Sequence, residues 1–273
     1  MTTIDTGTEE LLCEIRDRVA VVTLNKPHKK NALGDILTPA LRAILLQLES
    51  DSRVGCLLLT GAGNAFCSGG DVSGMGSSSG GELKSESQRV EELTHKQETL
   101  THRLFELAMP TVAALPGAAA GAGLSLALAC DLRVASDNAF VTTAFANIGL
   151  SGDYGASWFL PRLVGLARAK EMFFRCERIG ADEALEMGLI NRVFSDDTFR
   201  QQAFDYARDI ANGPALAQSL MKKNLNRGCD QSLPASLALE AQHMINCAGG
   251  EESKQAVRAF MEKRAPQFHP KTQ

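Results

Sequence analysis

Twice in this chain of 273 residues a buried strand runs straight into a loop of small residues and then into a helix, and this pairing constrains the fold most tightly. The first junction is the apolar run 56–60 followed by the glycine-rich stretch 61–70, whose latter part and next residue read Ala65-Phe66-Cys67-Ser68-Gly69-Gly70-Asp71. The second is Thr111–Leu115, then Pro116 and Gly117-Ala118-Ala119-Ala120-Gly121-Ala122-Gly123, with a helix expected over 124–129. Such junctions leave backbone N–H groups unpaired and add the positive potential of a helix N-terminus. They can hold an anion, or a carbonyl oxygen that is becoming one. Small residues are required because a larger side chain would block close approach. Either loop alone reads more simply as an ordinary tight strand-to-helix turn. Neither ends in the Gly-Lys-Ser/Thr of a phosphate loop, and Phe66 and Leu126 stand where a dinucleotide fingerprint needs its last small residue.

The flanking pattern alternates strands with helices. Leu11–Arg16 and Val19–Leu24 predict a hairpin turning at Asp17-Arg18, and a helix is expected over 35–50. The Ser/Gly-rich segment 73–81 reads as a mobile loop. A charged amphipathic helix over 86–108 follows, stopped by Pro110. Short strands are expected at 132–135 and 139–142, and from Ser157 onward the pattern is nearly all helical, with breaks at Gly180, Gly213-Pro214 and Gly228. The expectation is an α/β core over 1–195 carrying a helical lobe over 196–273.

Composition narrows the function. There are 28 Lys+Arg against 32 Asp+Glu, so no basic surplus exists to grip a nucleic-acid backbone. The seven cysteines (13, 56, 67, 130, 176, 229 and 247) form no CxxC and give neither a disulfide framework nor zinc spacing. The first residues lack a basic region followed by an apolar run, and 111–130 is too rich in glycine and small residues for a lipid-facing helix. No metal, no membrane partner and a cytoplasmic location with reduced thiols are expected.

Taken together, the two loops resemble those of the crotonase (enoyl-CoA hydratase/isomerase) superfamily. TGAGNAFCSGGDV is similar to that family's first oxyanion segment and PGAAAGAGLSLALACD to its second. NKPHKKNAL, IGADEALEMGLINRVF and VRAFMEKRAPQF extend the likeness collinearly along nearly the whole chain. The resemblance implies a spiral of ββα units with a C-terminal helical lobe that packs trimers or dimers of trimers. It also implies an acyl-CoA thioester substrate, with coenzyme A arriving as part of that substrate and no separate cofactor. The oxyanion donors would be the N–H groups of Gly70 and Ala122, stabilising a thioester enolate.

Hydration needs a positioned water and a proton delivered to carbon, usually the work of two carboxylates. At the two positions where the family's hydratases carry glutamates, this chain has Ser125 and Phe145. Asp153, among small and apolar neighbours, is the nearest acid. Its residues allow a raised-pKa proton carrier or a cap on a helix starting near Gly155. The segment AFANIGLSGDYGASWFLPRLVG resembles that of bacterial enoyl-CoA isomerases, ring-epoxide isomerases included, which implies the proton carrier. The superfamily's dehalogenases also place an aspartate here, but pair it with a tryptophan near position 145 and a Trp-His absent from this chain, where His95 and His102 read as surface residues. Three alternatives remain: a hydratase-like enzyme of fatty-acid metabolism, a silent acyl-CoA binder, and a serine hydrolase. The last rests on Gly123-Leu124-Ser125-Leu126-Ala127, one residue short of a nucleophile elbow, with only His243 or His269 downstream.

The resemblance also implies contacts to coenzyme A. Lys26, Lys29 and Lys30 surround Pro27 where the family meets the nucleotide, and a polyphosphate needs cations. Ser68, Gly69, Asp71 and Val72 belong to the first oxyanion segment, Asp71 reading equally as a tie for that loop. Phe145 is expected to line the acyl pocket. Phe260 and Lys263 are expected in the terminal helix, within reach of a neighbouring copy's adenine pocket, and helices over 215–227 and 233–247 are expected at trimer contacts.

Overall fold

The computed structural model describes residues 1–71 and 84–269; Val72 and the segment 73–81 lie outside the described residues. Eleven strands are found among them: β1 Thr2–Ile4, β2 Leu11–Arg16, β3 Val19–Leu24, β4 Cys56–Gly61, β5 Ala65–Cys67, β6 Thr111–Leu115, β7 Ala118–Ala120, β8 Leu132–Ser136, β9 Phe140–Thr142, β10 Ile179–Gly180 and β11 Arg192–Phe194. They sort into a seven-stranded sheet, ordered β1-β2-β3-β4-β6-β8-β11, and a four-stranded sheet, ordered β10-β9-β7-β5. The β2–β3 hairpin turns through Asp17 and Arg18, both with positive φ (47° and 66°). Two positive φ values give the twist a tight hairpin requires.

From β3 onward the large sheet is parallel, and from β4 to β9 the chain visits the two sheets alternately. Helix α1 (Leu37–Glu49) precedes the first unit. Then β4 and β5 lead to α2 (Glu86–Gln97), continued by a π-helical turn over Glu98–His102 and by α3 (Arg103–Glu106). β6 and β7 lead to α4 (Ala122–Leu128), and β8 and β9 to α5 (Ala156–Val164). Each unit thus places one strand in each sheet before its helix, which is the expected ββα spiral. The helix expected over 86–108 is one path in three segments.

β4 is buried throughout because both its faces are covered. Leu57 and Leu59 join the main core, while Cys56 and Leu58 pack with Phe199, Ala203, Phe204 and Ala207. Those four belong to α8 (Phe199–Ala211), reached through α6 (Leu166–Arg175) and α7 (Ala181–Glu186). Beyond it come α9 (Ala215–Gly228), α10 (Leu233–Ala248) and α11 (Glu251–Met261). No residue of α10 is buried, and α11 buries only Ala259.

The stretch after Ser157, expected to be nearly all helical, also holds two short strands. β10 pairs antiparallel with β9, and β11 adds parallel to β8. At two and three residues they are too short to show the alternation that marks a strand. Likewise β5 and β7 run inside what the sequence presents as loops.

Candidate active site

The two glycine loops pack backbone against backbone. A Cβ on Gly123 would overlap the carbonyl oxygen of Cys67, so the second loop can lie this close to the first only with glycine there. Gly121, at φ +52° and ψ −128°, enters α4 through a conformation closed to other residues. At Gly69 a built Cβ lies 3.6 Å from the Ala122 nitrogen, which measures how near the loops come.

Their free donors follow from the bonding around them. Leu33 N–H donates to Gly69 O at 2.8 Å and Asp71 N–H to Leu33 O at 2.8 Å. This parallel bridge uses the neighbours of Gly70, so the Gly70 N–H itself points away from it. Ala122 is the first residue of α4, and its N–H has no intrahelical acceptor. No loop or cap bond between described residues uses either N–H. Ser68 hangs beside them, its N–H on Lys30 O at 3.0 Å and its hydroxyl on Lys29 O at 3.3 Å.

Asp153 stands on the loop before α5. The cap of that helix is Gly155, with no side-chain cap bond, so Asp153 does not serve as the helix cap. Its Oδ1 is buried with no hydrogen-bond partner, and burial raises its pKa above the ordinary carboxylate value. Phe145 spans from this loop to the second glycine loop. It stacks on Phe173 with ring centroids 6.1 Å apart, and its ring lies 3.5 Å from a Cβ built on Gly152 and 3.8 Å from one built on Gly121. Ser125 is fully buried, its hydroxyl donating to Asp153 O at 2.9 Å and lying 3.3 Å from Gly121 O. A serine bonded to carbonyl oxygens has no base to activate it. The candidate histidines are engaged in the helical lobe, His243 with Asn224 and His269 with Gly213 O. This removes the grounds for a serine hydrolase. Cys67, under the first loop, is no nucleophile either, since burial pushes its thiol up to about 12.

The residues expected to meet coenzyme A are only partly drawn together. Lys26 is buried, with its Nζ 3.3 Å from Glu10 and 3.7 Å from Asp71. That charge is paired with carboxylates inside the protein. Asp71 also pairs with Lys29 at 2.9 Å, tying the first loop to the turn after Pro27. Lys30 donates to Asn64 Oδ1 at 2.9 Å. Phe260 is 81% exposed on α11, whereas Lys263 lies past the end of that helix at φ +53° rather than within it. His95 and His102 are exposed as expected.

Three residues near Asp153 escaped the sequence reading. Gln97 Oε1 accepts from Tyr154 N–H at 2.7 Å, and the Arg42 guanidinium on α1 acts electrostatically on the Tyr154 phenol. Both lie far away in sequence, and nothing in their local pattern marks them. Among the described residues no cluster of three or more His, Cys, Asp or Glu could hold a metal, and no helix is long and apolar enough to cross a membrane.

The chain as a whole is similar to known proteins. A family model described as enoyl-CoA hydratase/isomerase matches residues 14–271. A protein from Rhodobacter capsulatus named "Probable enoyl-CoA hydratase" is 40% identical over 255 residues, 93% of this chain and 96% of that one. The 1,2-epoxyphenylacetyl-CoA isomerase of Escherichia coli K12 is 34% identical over 260 residues, covering 95% and 98%. The crystal structure of an enoyl-CoA hydratase from Bacillus anthracis superposes with a TM-score of 0.87 at 29% identity, covering 95% of this chain and 98% of that one. With the ββα spiral, the paired loops and the family model all in agreement, the chain belongs to the crotonase (enoyl-CoA hydratase/isomerase) family of acyl-CoA enzymes.

Proposed function

We propose that this enzyme is an acyl-CoA isomerase, which shifts a double bond along the acyl chain or rearranges an unsaturated ring, with Asp153 as its single acid/base. In the double-bond case Asp153 removes a proton from the α carbon of a 3-enoyl thioester. The C–H electron pair moves through the carbonyl to its oxygen, giving a dienolate held by the N–H groups of Gly70 and Ala122. The same carboxyl group then returns the proton at the γ carbon, the α,β double bond forms, and the negative charge leaves the oxygen. No atom is gained or lost, so no metal, redox cofactor or second acid is needed, and turnover should survive exhaustive chelation.

The observation carrying this reading is the Asp153 carboxylate, with a buried oxygen that has no partner and a pKa raised by burial. A group so placed is more basic than a solvated aspartate, which suits proton abstraction. Ser125 and Phe145, at the hydratase glutamate positions, offer no acid or base at neutral pH. Phe145 fits the role of a pocket wall, being buried beside both the Asp153 loop and Gly121. The exposed apolar side chains of α9 to α11, Leu225, Leu233 and Ile245 among them, favour assembly with further copies as a trimer or dimer of trimers.

The test is a pair of assays on Asp153→Asn, which keeps size but cannot accept the proton. Its 3-enoyl-CoA isomerase rate should fall by about 10² to 10⁴, with acyl-CoA binding retained. The parent should hydrate crotonyl-CoA poorly, and the acid limb of its rate profile should lie above that of a solvated aspartate. Retained isomerisation in Asp153→Asn, or efficient hydration by the parent, would overturn the reading.

A further inference from the structure

The peptide that joins Asp153 to Tyr154 is gripped from both sides. Its carbonyl accepts from Ser125 Oγ at 2.9 Å, and its N–H donates to Gln97 Oε1 at 2.7 Å. The two grips come from different elements. Ser125 sits on α4 three residues after Ala122, and Gln97 is the last residue of α2. Both side chains hydrogen-bond this loop through its backbone, and neither is needed to satisfy a regular element.

The loop cannot hold this geometry alone. Gly152, Tyr154 and Gly155 have φ of +103°, +52° and +86°, so three of four consecutive residues lie outside helix and strand conformations. The one backbone bond closing the stretch, Ala156 N–H to Asp153 O, is long at 3.4 Å. The carboxylate gives no anchorage through its Oδ1, which is without a partner. The direction of the side chain is therefore set by the peptide plane behind it, and Ser125 and Gln97 set that plane. Because Ser125 and Ala122 share α4, the same hydroxyl links the proton carrier to one of the oxyanion donors.

We infer that Ser125 and Gln97 are positioning residues, which aim Asp153 at the acyl carbons by clamping the 153–154 peptide. The inference rests on the proposed role of Asp153 as proton carrier. It gives the serine at a hydratase glutamate position a duty of its own: the hydroxyl holds an aspartate where the glutamate would itself react.

Ser125→Ala, Gln97→Leu and their double variant test it. The expected result is a loss of kcat on a 3-enoyl-CoA of about 10- to 100-fold for each single variant, since a displacement near 1 Å at the reacting group costs about that much. KM should stay within about threefold, because neither group meets the thioester. The double variant should lose less than the product of the two, as both act on one peptide. Gln97→Glu keeps an acceptor and should recover most of the loss of Gln97→Leu, while its charge moves the acid limb of the pH profile upward. Ser125→Ala removes a single oxygen and decides the question should Gln97→Leu fail to fold. Folded single variants with kcat within twofold of the parent, beside an inactive Asp153→Asn, would overturn the positioning role and leave the proton carrier standing. Full activity in Asp153→Asn would overturn both.

Discussion

Two aspartates close to α4 are treated in opposite ways. Asp131 follows the end of that helix, and its Oδ2 accepts from the Thr111 N–H at 2.8 Å and the Thr111 hydroxyl at 2.9 Å, with Lys222 Nζ also 2.9 Å away. It thereby joins the start of β6, the end of α4 and helix α9. Asp153, tied to the same helix through Ser125, carries a buried oxygen with no partner at all. A carboxylate surrounded by donors stabilises a fold, while one deprived of them is costly to ionise and ready to take a proton. Under the proposed function this difference separates an architectural carboxylate from a reacting one, although the sequence presents both simply as acids beside small residues.

The sharpest contrast lies in turnover. Asp153→Asn should lose about 10² to 10⁴ of isomerase rate with its fold intact. Asp131→Asn, measured on the fraction that folds, should stay within about threefold of the parent, because it belongs to the joint and not to the site. Equal losses in the two variants would erase the distinction. Between these extremes, Ala122→Pro deletes an N–H from the second loop and should cost about 10² to 10³ in turnover, with circular dichroism confirming the fold.

Stability should show the reverse order. Lys222→Met strips the cation from Asp131 in a joint where the lysine side chain is only 8% exposed. Breaking a buried pair from one side costs about 3 to 5 kcal/mol, and the 22% exposure of Asp131 places this case near about 2 kcal/mol. The double variant Lys222→Met, Asp131→Asn should regain part of that loss, read as the urea midpoint. A Lys222→Met midpoint equal to the parent's would mean the joint contributes nothing.

How much of this was legible depended on element length and on reach. Leu11–Arg16 and Val19–Leu24 carry enough residues for their pattern to define them, and both strands run where the sequence put them. β5, β7, β10 and β11 have two or three residues each, and only pairing partners distant in sequence make them strands. The glycines marked the two loops because close approach leaves no other choice. The residues alone located Asp153 without assigning it, since cap and proton carrier differ only in where a side chain points, and the role of proton carrier came from the family resemblance. Gln97 reaches Tyr154 across 57 residues and Lys222 reaches Asp131 across a larger gap, contacts no local window contains.

The smallest expected effect is also the one most specific to a deprived carboxylate. Burial raises the pKa of Asp153 in the folded chain above its value in the unfolded chain. Over the range between those two values the folded state retains a proton that the unfolded state has released, so stability falls as pH rises through that window. Below the unfolded value, about 3.9, both states are protonated and the cost disappears. Above the folded value both are ionised and the cost is fully present. Asp153→Asn does not titrate, so it should be more stable than the parent near neutral pH, by less than about 1 kcal/mol because the half-buried group is partly screened by water. That margin should shrink toward zero as the pH approaches about 4. Asp131→Asn should lose stability instead, having exchanged a paired charge for an amide. Urea midpoints for the parent and both variants at several pH values separate these cases. An Asp153→Asn protein less stable than the parent at neutral pH would mean that the carboxylate is held by favourable contacts after all, and the contrast between the two aspartates would collapse.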